Sequence, residues 1–416
     1  MSISKLGFGT YRVTYKNPNH QKALLLAIEK GVTLIDTSSN YMGGEAEILI
    51  GNLITENLIN PEILTIITKG GYIQGDLLDQ VLKGELEIEE LVPYGRDCYH
   101  SIHPNFLHQQ IKSSKQRLQV ESIDCYLLHN PEYYLMTNLK QMGQNIAQIK
   151  AEMQNRIQKA FIQLEQEVQN GTIKSYGISS NSFAKSPNDI QFLEYSQLIK
   201  YAEKAASSVN NAHHHFTTIQ MPYNLLEKEG SGALAWAKEM RLTTLTNRPL
   251  NAFDATGMHR LASYEQPSDY LSTLDNTTQG LDNFSRSDLR GILDDLHGMR
   301  MNFKSMQEAQ HTLYKKALPF IQQILKEIKE PEVQSAAREL FNPFFPLYLK
   351  EVNYYLSLKT KSYLKEKHNL TTEIKLEDFA LNTLLEEKHI DTVLMGMRES
   401  SYVEQATHCL NTKTLN

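Results

Sequence analysis

Along this chain, short apolar runs alternate with longer stretches whose apolar positions recur at helical spacing. Eight short runs stand out: KLGFG near residue 6, VTLID at 32–36, ILTIITK at 63–69, IDCYLLH at 123–129, IKSYGIS at 173–179, TTIQM at 217–221, LTTLT at 242–246 and DTVLMG at 391–396. Runs of this length, bounded by polar residues, read as strands buried in a parallel sheet. Between them, residues 20–30 (HQKALLLAIEK) predict a helix that stops at Gly31, a residue suited to a helix C-terminus. Residues 156–170 repeat the design, with Ile157, Ala160, Phe161, Leu164 and Val168 on one face and Gly171 as the stop. Residues 105–118 and 374–389 predict further crossover helices. Eight strands in β-α alternation predict an α/β fold, a (β/α)8 TIM barrel. A doubly wound open sheet is the alternative, and it usually carries a glycine-rich phosphate turn after its first strand.

Two stretches exceed a minimal barrel. Residues 72–104 hold an acidic patch, GELEIEELVPYG, and residues 251–372 separate the seventh strand from the last crossover helix. The longer stretch contains amphipathic pieces, with Leu313, Ala317, Phe320, Ile321, Ile324, Leu325 and Ile328 at helical spacing. Within it, NPFFP at 342–346 predicts a break, because Pro343 and Pro346 remove a donor and clash with the preceding turn. The expected organisation is therefore a barrel catalytic domain of residues 1–250 plus 373–416, carrying an inserted helical subdomain of residues 251–372. Since the insertion follows a strand directly, it is expected to rise from the catalytic face, over or beside the site.

Composition narrows the function. The 416 residues exceed a barrel of roughly 250, which leaves room for insertions, and 41% are hydrophobic, enough for a large core. A formal net charge of −6 argues against a nucleic-acid surface, which needs clustered Lys and Arg. No apolar run reaches the ~18 residues of a membrane span, and the N-terminal MSISKLGFGTYRV lacks the long apolar segment of a secretory signal. Cys98, Cys125 and Cys409 lie far apart and form no disulfide framework or zinc pattern, so a reducing cytoplasm is the expected location. The expected partner is a small molecule, with no nucleic acid and no membrane; nothing in the sequence specifies an oligomeric state.

Four residues carry the chemistry. Asp36 ends VTLID, Tyr41 follows it in TSSNYMGG, Lys69 ends ILTIITK and His129 ends IDCYLLH. Each alone has an ordinary explanation: a turn former, a loop aromatic, a solvated strand end, a histidine bonded to a turn. Together they sit at successive strand ends, which a parallel barrel directs to one face. A carbonyl that accepts hydride develops negative charge on oxygen and needs a proton. A tyrosine holds its proton too tightly at neutral pH, and a lysine ammonium beside it favours the tyrosinate. A carboxylate keeps that lysine charged and oriented, and a histidine can polarise the substrate oxygen. Tyr41, Lys69, Asp36 and His129 fill these roles for a carbonyl substrate, or for its alcohol in reverse.

Other residues are less specific. His213, His214 and His215 are consecutive, and consecutive residues on a strand point to opposite sides, so no metal site is expected. His100 and His103 follow the Lys69 strand, where they either touch substrate or pack within a loop. Trp236 and the tyrosines Tyr348, Tyr354, Tyr355 and Tyr363 read as packing. There is no GxGxxG, GxxxxGK[ST], HExxH or GxSxG motif.

The segments GFGTYR, IDTSSNYMGGEAEILIG, TIITKGG and IDCYLLHNPE, with NGTIKSYGISSNSF, TTIQMPYNLL, TNRPLNAF and HIDTVLMGMRES, resemble the aldo-keto reductases. In that family the catalytic tetrad is an Asp, a Tyr, a Lys and a His in this chain order, which implies Asp36, Tyr41, Lys69 and His129. The resemblance implies NADP(H) lying extended across the barrel mouth, with Gly9, Thr10 and Tyr11 under the nicotinamide and Asp36 shared between the two sets. Ser179, Ser180, Asn181 and Gln220 would hydrogen-bond the carboxamide. Where many members place an aromatic before Ser-Pro-Leu, this chain reads Asn247, Arg248, Pro249 and Leu250. The segment GMRESSYVEQA corresponds to the adenosine-phosphate region, which implies contacts from Gly396, Arg398 and Tyr402. Arg398 suits a 2′-phosphate, although Glu399 adds an opposing charge and Ala406 replaces a frequent Asn. NADPH is expected ahead of NADH. The implied activity is NAD(P)H-dependent interconversion of an aldehyde or ketone with an alcohol; the alternative is a nucleotide-sensing regulatory or scaffold subunit that keeps the barrel.

Overall fold

A computed structural model describes residues 3–140, 145–371 and 373–411. All eight apolar runs become strands: β1 (Leu6–Gly9), β2 (Leu34–Asp36), β3 (Thr65–Gly70), β4 (Cys125–His129), β5 (Tyr176–Ser179), β6 (Phe216–Pro222), β7 (Thr243–Asn247) and β8 (Thr392–Gly396). They pair in parallel around a closed barrel, each with its neighbours in sequence, and β8 closes onto β1. Several strands begin later than their apolar runs. The ILTIITK run, for instance, starts with a turn over Pro61–Ile63, where the Asn60 side chain accepts from the Glu62 amide and holds the chain out of the sheet.

Leu34, Ile67, Cys125, Leu127, Leu245 and Leu394 meet inside the barrel as one apolar cluster. Layers this tight need small residues between them: a Cβ on Gly177 would lie 2.0 Å from the Thr218 carbonyl oxygen. Outside, helices at Pro18–Glu29, Glu45–Thr55, Pro104–Leu118, Ile146–Gln169, Leu198–Ser208, Ser231–Glu239 and Ser400–Asn411 follow the strands. The predicted helix at 156–170 starts earlier, at Ile146. Asn145 caps it by accepting from the Ala147 amide, and the buried Ile149 and Met153 extend the apolar face toward that end. Residues 72–100 add a small antiparallel sheet of Tyr72–Ile73, Val92–Gly95 and Cys98–His100.

The barrel strands fall in one compact unit, Met1–Pro249 with Ala380–Asn416; residues Leu250–Phe379 form another. Taken by itself, the second unit holds a hairpin, Asn251–Asp254 with Gly257–Arg260, and a set of helices around its own apolar core. Leu281, Leu289, Leu293, Leu313, Ile321, Phe341, Phe344, Tyr348 and Val352 are among the buried residues of that core. Here the expected break at NPFFP does not occur: one helix runs from Pro331 to His368, through Pro343 and Pro346. Phe341, Phe344, Tyr348 and Val352 are buried along one stripe of it, and Phe344 stacks on Tyr348. Burial of that stripe offsets the roughly 3 kcal/mol that an interior proline costs. Among the described residues, no helix is long and apolar enough to cross a membrane.

Candidate active site at the strand C-termini

Strand register assembles the site. Asp36 is paired with Gly9 on one side and Ile67 on the other, and His129 is paired with Ser179, which is paired with Gln220. Tyr41 is brought back over β2 by a tight turn in which Met42, Gly43 and Gly44 all adopt positive φ (52°, 68° and 92°). For Met42 that is an uncommon conformation. Its reward is the placement of the Tyr41 hydroxyl 3.3 Å from Lys69 Nζ.

Lys69 is completely buried. Its ammonium has three protons, and they find three acceptors: Asp36 Oδ2 at 2.8 Å, the Thr37 carbonyl at 2.8 Å and the Tyr41 hydroxyl. Burial alone would push the lysine toward its neutral form, but Asp36 and Tyr41 outweigh it and hold the Lys69 pKa above the ordinary value. Burial also acts on Tyr41 and raises its pKa, and the opposing pull of Lys69 does not reverse this. Sequence reasoning cast Lys69 as bringing Tyr41 down toward neutrality. Here desolvation wins, and the phenol keeps its proton.

The second carboxylate oxygen of Asp36 accepts from Gln220 Nε2 at 2.7 Å. Gln220 Oε1 in turn accepts from Ser179 Oγ at 2.9 Å and Asn247 Nδ2 at 3.3 Å. The residue expected at the carboxamide thus ties β6 to β2 across the barrel mouth. Thr10 ties β1 to β2 by donating both its amide and its hydroxyl to the Asp36 carbonyl, each at 3.0 Å.

His129 is buried, and its pKa lies well below the ordinary range because of that burial and the charge of Lys69, so the ring is neutral. Its Nδ1 lies 3.1 Å from Ser38 Oγ. When the Ser38 hydroxyl donates to Nδ1, Nε2 carries the proton and can donate to a substrate oxygen. When it donates instead to Asn40 Oδ1, 2.7 Å away, the opposite tautomer is favoured. His100 lies behind this ring, its Nε2 2.7 Å from the His129 carbonyl. Burial lowers the His100 pKa to about 4. Gly71 permits this approach, since a Cβ there would lie 2.6 Å from His100 Nε2. His100 therefore bonds the backbone of the site. His103 is elsewhere, paired with Glu89 at 2.9 Å.

Two aromatic rings flank the tetrad. Tyr11 meets the Tyr41 ring edge-on at 5.3 Å and is 63% exposed, and Tyr72 meets His129 at 4.6 Å. Ser180 and Asn181 are bound to Glu132, a fully buried carboxylate that sequence reasoning missed; its only signal was its place three residues after His129. Arg248 has positive φ and pairs with Glu227 at 3.1 Å, while Pro249 beside it is buried. Leu250, the first residue of the second unit, is also buried. Gly396 is paired with Gly9 at the open ends of β8 and β1, and Arg398 and Tyr402 are exposed beyond it. The histidine triplet serves packing at its last member, whose amide and Nδ1 bond the buried Glu165.

An acid held against a buried ammonium, with a neutral imidazole beside it, can deliver a proton to an oxygen that develops charge. The comparisons with known proteins agree in fold and family. The model of the Aldo/keto reductase family matches residues 5–269. The chain is similar to an NADH-specific methylglyoxal reductase of Escherichia coli (strain K12), 24% identical over 31% of this chain and 39% of that protein, so it spans about two fifths of that relative's length. In structure it is similar to an aldo-keto reductase from Bacillus halodurans in its holo form (16% identity, TM-score 0.53, covering 100% of this chain and 89% of that one). It is also similar to a glycerol dehydrogenase from Gluconobacter oxydans (17% identity, TM-score 0.50, covering 100% and 88%). With the family model matching well over half of its residues, this chain belongs to the aldo/keto reductase family.

Proposed function

We propose that this protein is an NAD(P)H-dependent oxidoreductase that interconverts a carbonyl and an alcohol, with Tyr41 as general acid and base. The observation that carries this reading is the Lys69 ammonium, which spends its protons on Asp36, the Thr37 carbonyl and Tyr41. In the reducing direction the Tyr41 hydroxyl gives its proton to the oxygen of the substrate as charge builds there. Lys69, charged and anchored by Asp36, stabilises the phenolate that remains. His129 orients the substrate oxygen through Nε2, and His100 fixes the backbone that carries His129.

A nicotinamide cofactor supplies the hydride when bound. The residues present fit such a group: Gly9 and Gly396 lie side by side at the strand ends, and a Cβ on Gly396 would meet nothing within 4 Å, which leaves open, side-chain-free floor beside Asp36. Thr10 and Tyr11 follow Gly9 directly, Gln220 bonds Asp36 and is joined in turn by Ser179 and Asn247, and exposed Arg398 offers a guanidinium to a 2′-phosphate. NADPH is the cofactor we assign, with NADH as the alternative that the name of the Escherichia coli relative raises. The test is a titration with each nucleotide followed by nicotinamide fluorescence. NADPH binding that weakens in Arg398→Ala, with NADH binding unaffected, is the expected result. Failure to bind either nucleotide sinks the oxidoreductase reading and the nucleotide-sensing one with it, and leaves a scaffold role.

A further inference from the structure

The turn that follows β5 is held from below by one buried carboxylate, which the catalytic scheme does not use. Glu132 is 1% exposed. Its Oε2 accepts from Ser180 Oγ at 2.8 Å and its Oε1 accepts from the Asn181 amide at 2.9 Å. The Ser182 amide donates to Ser180 Oγ at 3.0 Å, so the single hydroxyl proton of Ser180 is directed to Glu132. Asn181 is then steadied on its other side, where its Nδ2 lies 3.4 Å from Asn130 Oδ1. Resting on the oxidoreductase reading above, we propose that Glu132 is a positioning residue for the nicotinamide end of the cofactor: its carboxylate holds the Ser180–Asn181 turn in the shape that presents Asn181 to the carboxamide.

The donor count makes this role depend on charge. As a carboxylate, Glu132 is an acceptor only and matches the donors that face it. Once protonated, it must carry its hydrogen on Oε2, because Oε1 faces an amide. Ser180 would then have to accept from both Glu132 and Ser182, and its own hydrogen would lose its partner. Burial works against the ionised form and pushes the Glu132 pKa up to about 7, partly countered by its own amide, Ser180 and the amides that face it. The other titratable groups that face it are the phenols of Tyr72 and Tyr133. Among the described residues Glu132 forms no ion pair with Lys, Arg or His. The sign follows: the raised pKa makes this group favour the folded state below the ordinary carboxylate range, an advantage lost as pH rises through about 7. The ordered turn belongs to the ionised form. Cofactor grip and fold stability therefore change in opposite directions across neutrality.

The test compares NADPH affinity and thermal stability of wild type, Glu132→Gln and Ser180→Ala between pH 6 and 8.5. Differences between the proteins cancel the titration of the nucleotide's own phosphate. In wild type, Kd should fall as pH rises through about 7. In both variants that component should vanish, with Kd at pH 8 about tenfold higher, the equivalent of one lost hydrogen bond to a charged group. The Tm of Glu132→Gln at pH 8 should stay at or above that of wild type, which damage to the fold would not allow. Parallel Kd profiles in wild type and Glu132→Gln overturn the proposal. If wild type binds neither nucleotide, the oxidoreductase reading has failed separately, and the Asn181 amide resonance judges Glu132 alone. A resonance that titrates near neutrality in wild type but not in Glu132→Gln keeps the carboxylate as the organiser of the turn; one that does not titrate in wild type removes it.

Discussion

Each compact unit buries a cluster of charged and phenolic groups, and the two are built differently. In the barrel, Lys69, Asp36, Tyr41 and Gln220 are joined by bonds of 2.7–3.3 Å, and both Asp36 carboxylate oxygens and all three lysine protons are used. In the second unit, Arg300 Nε lies 3.7 Å from the buried Glu351, beyond hydrogen-bond range, and Gln266 Nε2 reaches the same oxygen at 3.2 Å. Among the described residues, Glu351 Oε2, Arg300 Nε and the Tyr348 hydroxyl find no hydrogen-bond partner. Tyr270 is the better satisfied member, with its hydroxyl 3.0 Å from His297 Nδ1. The lesson is geometric. Parallel strand ends fix the backbone of neighbouring side chains at one spacing, so a polar cluster there can be matched donor for acceptor. The groups packed between helices here are left with unused donors and acceptors at the charged pair itself. In the barrel, unpartnered atoms such as Asn247 Oδ1 and Thr37 Oγ1 lie outside the Lys69–Asp36 pair.

The largest effect belongs to the barrel cluster. Tyr41→Phe should lower turnover by about 10²–10⁴-fold while cofactor affinity changes little, since it removes the proposed proton donor and leaves the ring in place. Steady-state kinetics beside a nucleotide titration checks this, and retained turnover would remove Tyr41 from the chemistry. Next, removing the cation from each cluster's charge pair should expose the difference in construction. Lys69→Met leaves Asp36 buried without its counter-charge and should cost about 3–5 kcal/mol. Arg300→Met, which leaves Glu351 in the same position, should cost no more than about 1 kcal/mol, because that pair is barely made. Chemical denaturation of both variants measures this directly; equal losses would break the comparison.

The smallest effect is a pH slope. His129 and His100 are both neutral by burial, with pKa values below the ordinary 6.5, about 4 for His100. Their depressed values mean that stability is present above about 6.5 and is lost as pH falls toward 4. His100 alone should account for about 1 kcal/mol between pH 7 and pH 5.5. His100→Asn should flatten that part of the denaturation profile; an unchanged slope would place the acid sensitivity elsewhere.

What the sequence made legible follows the same physics. The barrel strands announce themselves because short β-branched runs are buried on both faces. Asp36, Lys69 and His129 could be read because each ends such a run. What could not be read were the bonds between loops far apart in the chain. Gln220 and Asp36 are 184 positions apart, and only the closed register brings them to 2.7 Å. Ser38 and Glu132 were not singled out by the sequence, since their roles come from what faces them. Pro343 and Pro346 misled for a related reason: local chemistry argued for a break, and a buried stripe on the same helix overruled it. The net direction of the Tyr41 shift was likewise unreadable, because it depends on the depth of burial.

The closed proton count at Lys69 also limits which substitutions the site can absorb. An arginine would keep the charge, but its five N–H groups would face only the three acceptors that Lys69 uses, at a position with no water-accessible surface of its own. The exchange most often regarded as conservative would there be among the least tolerated: what this position specifies is a valence as much as a charge.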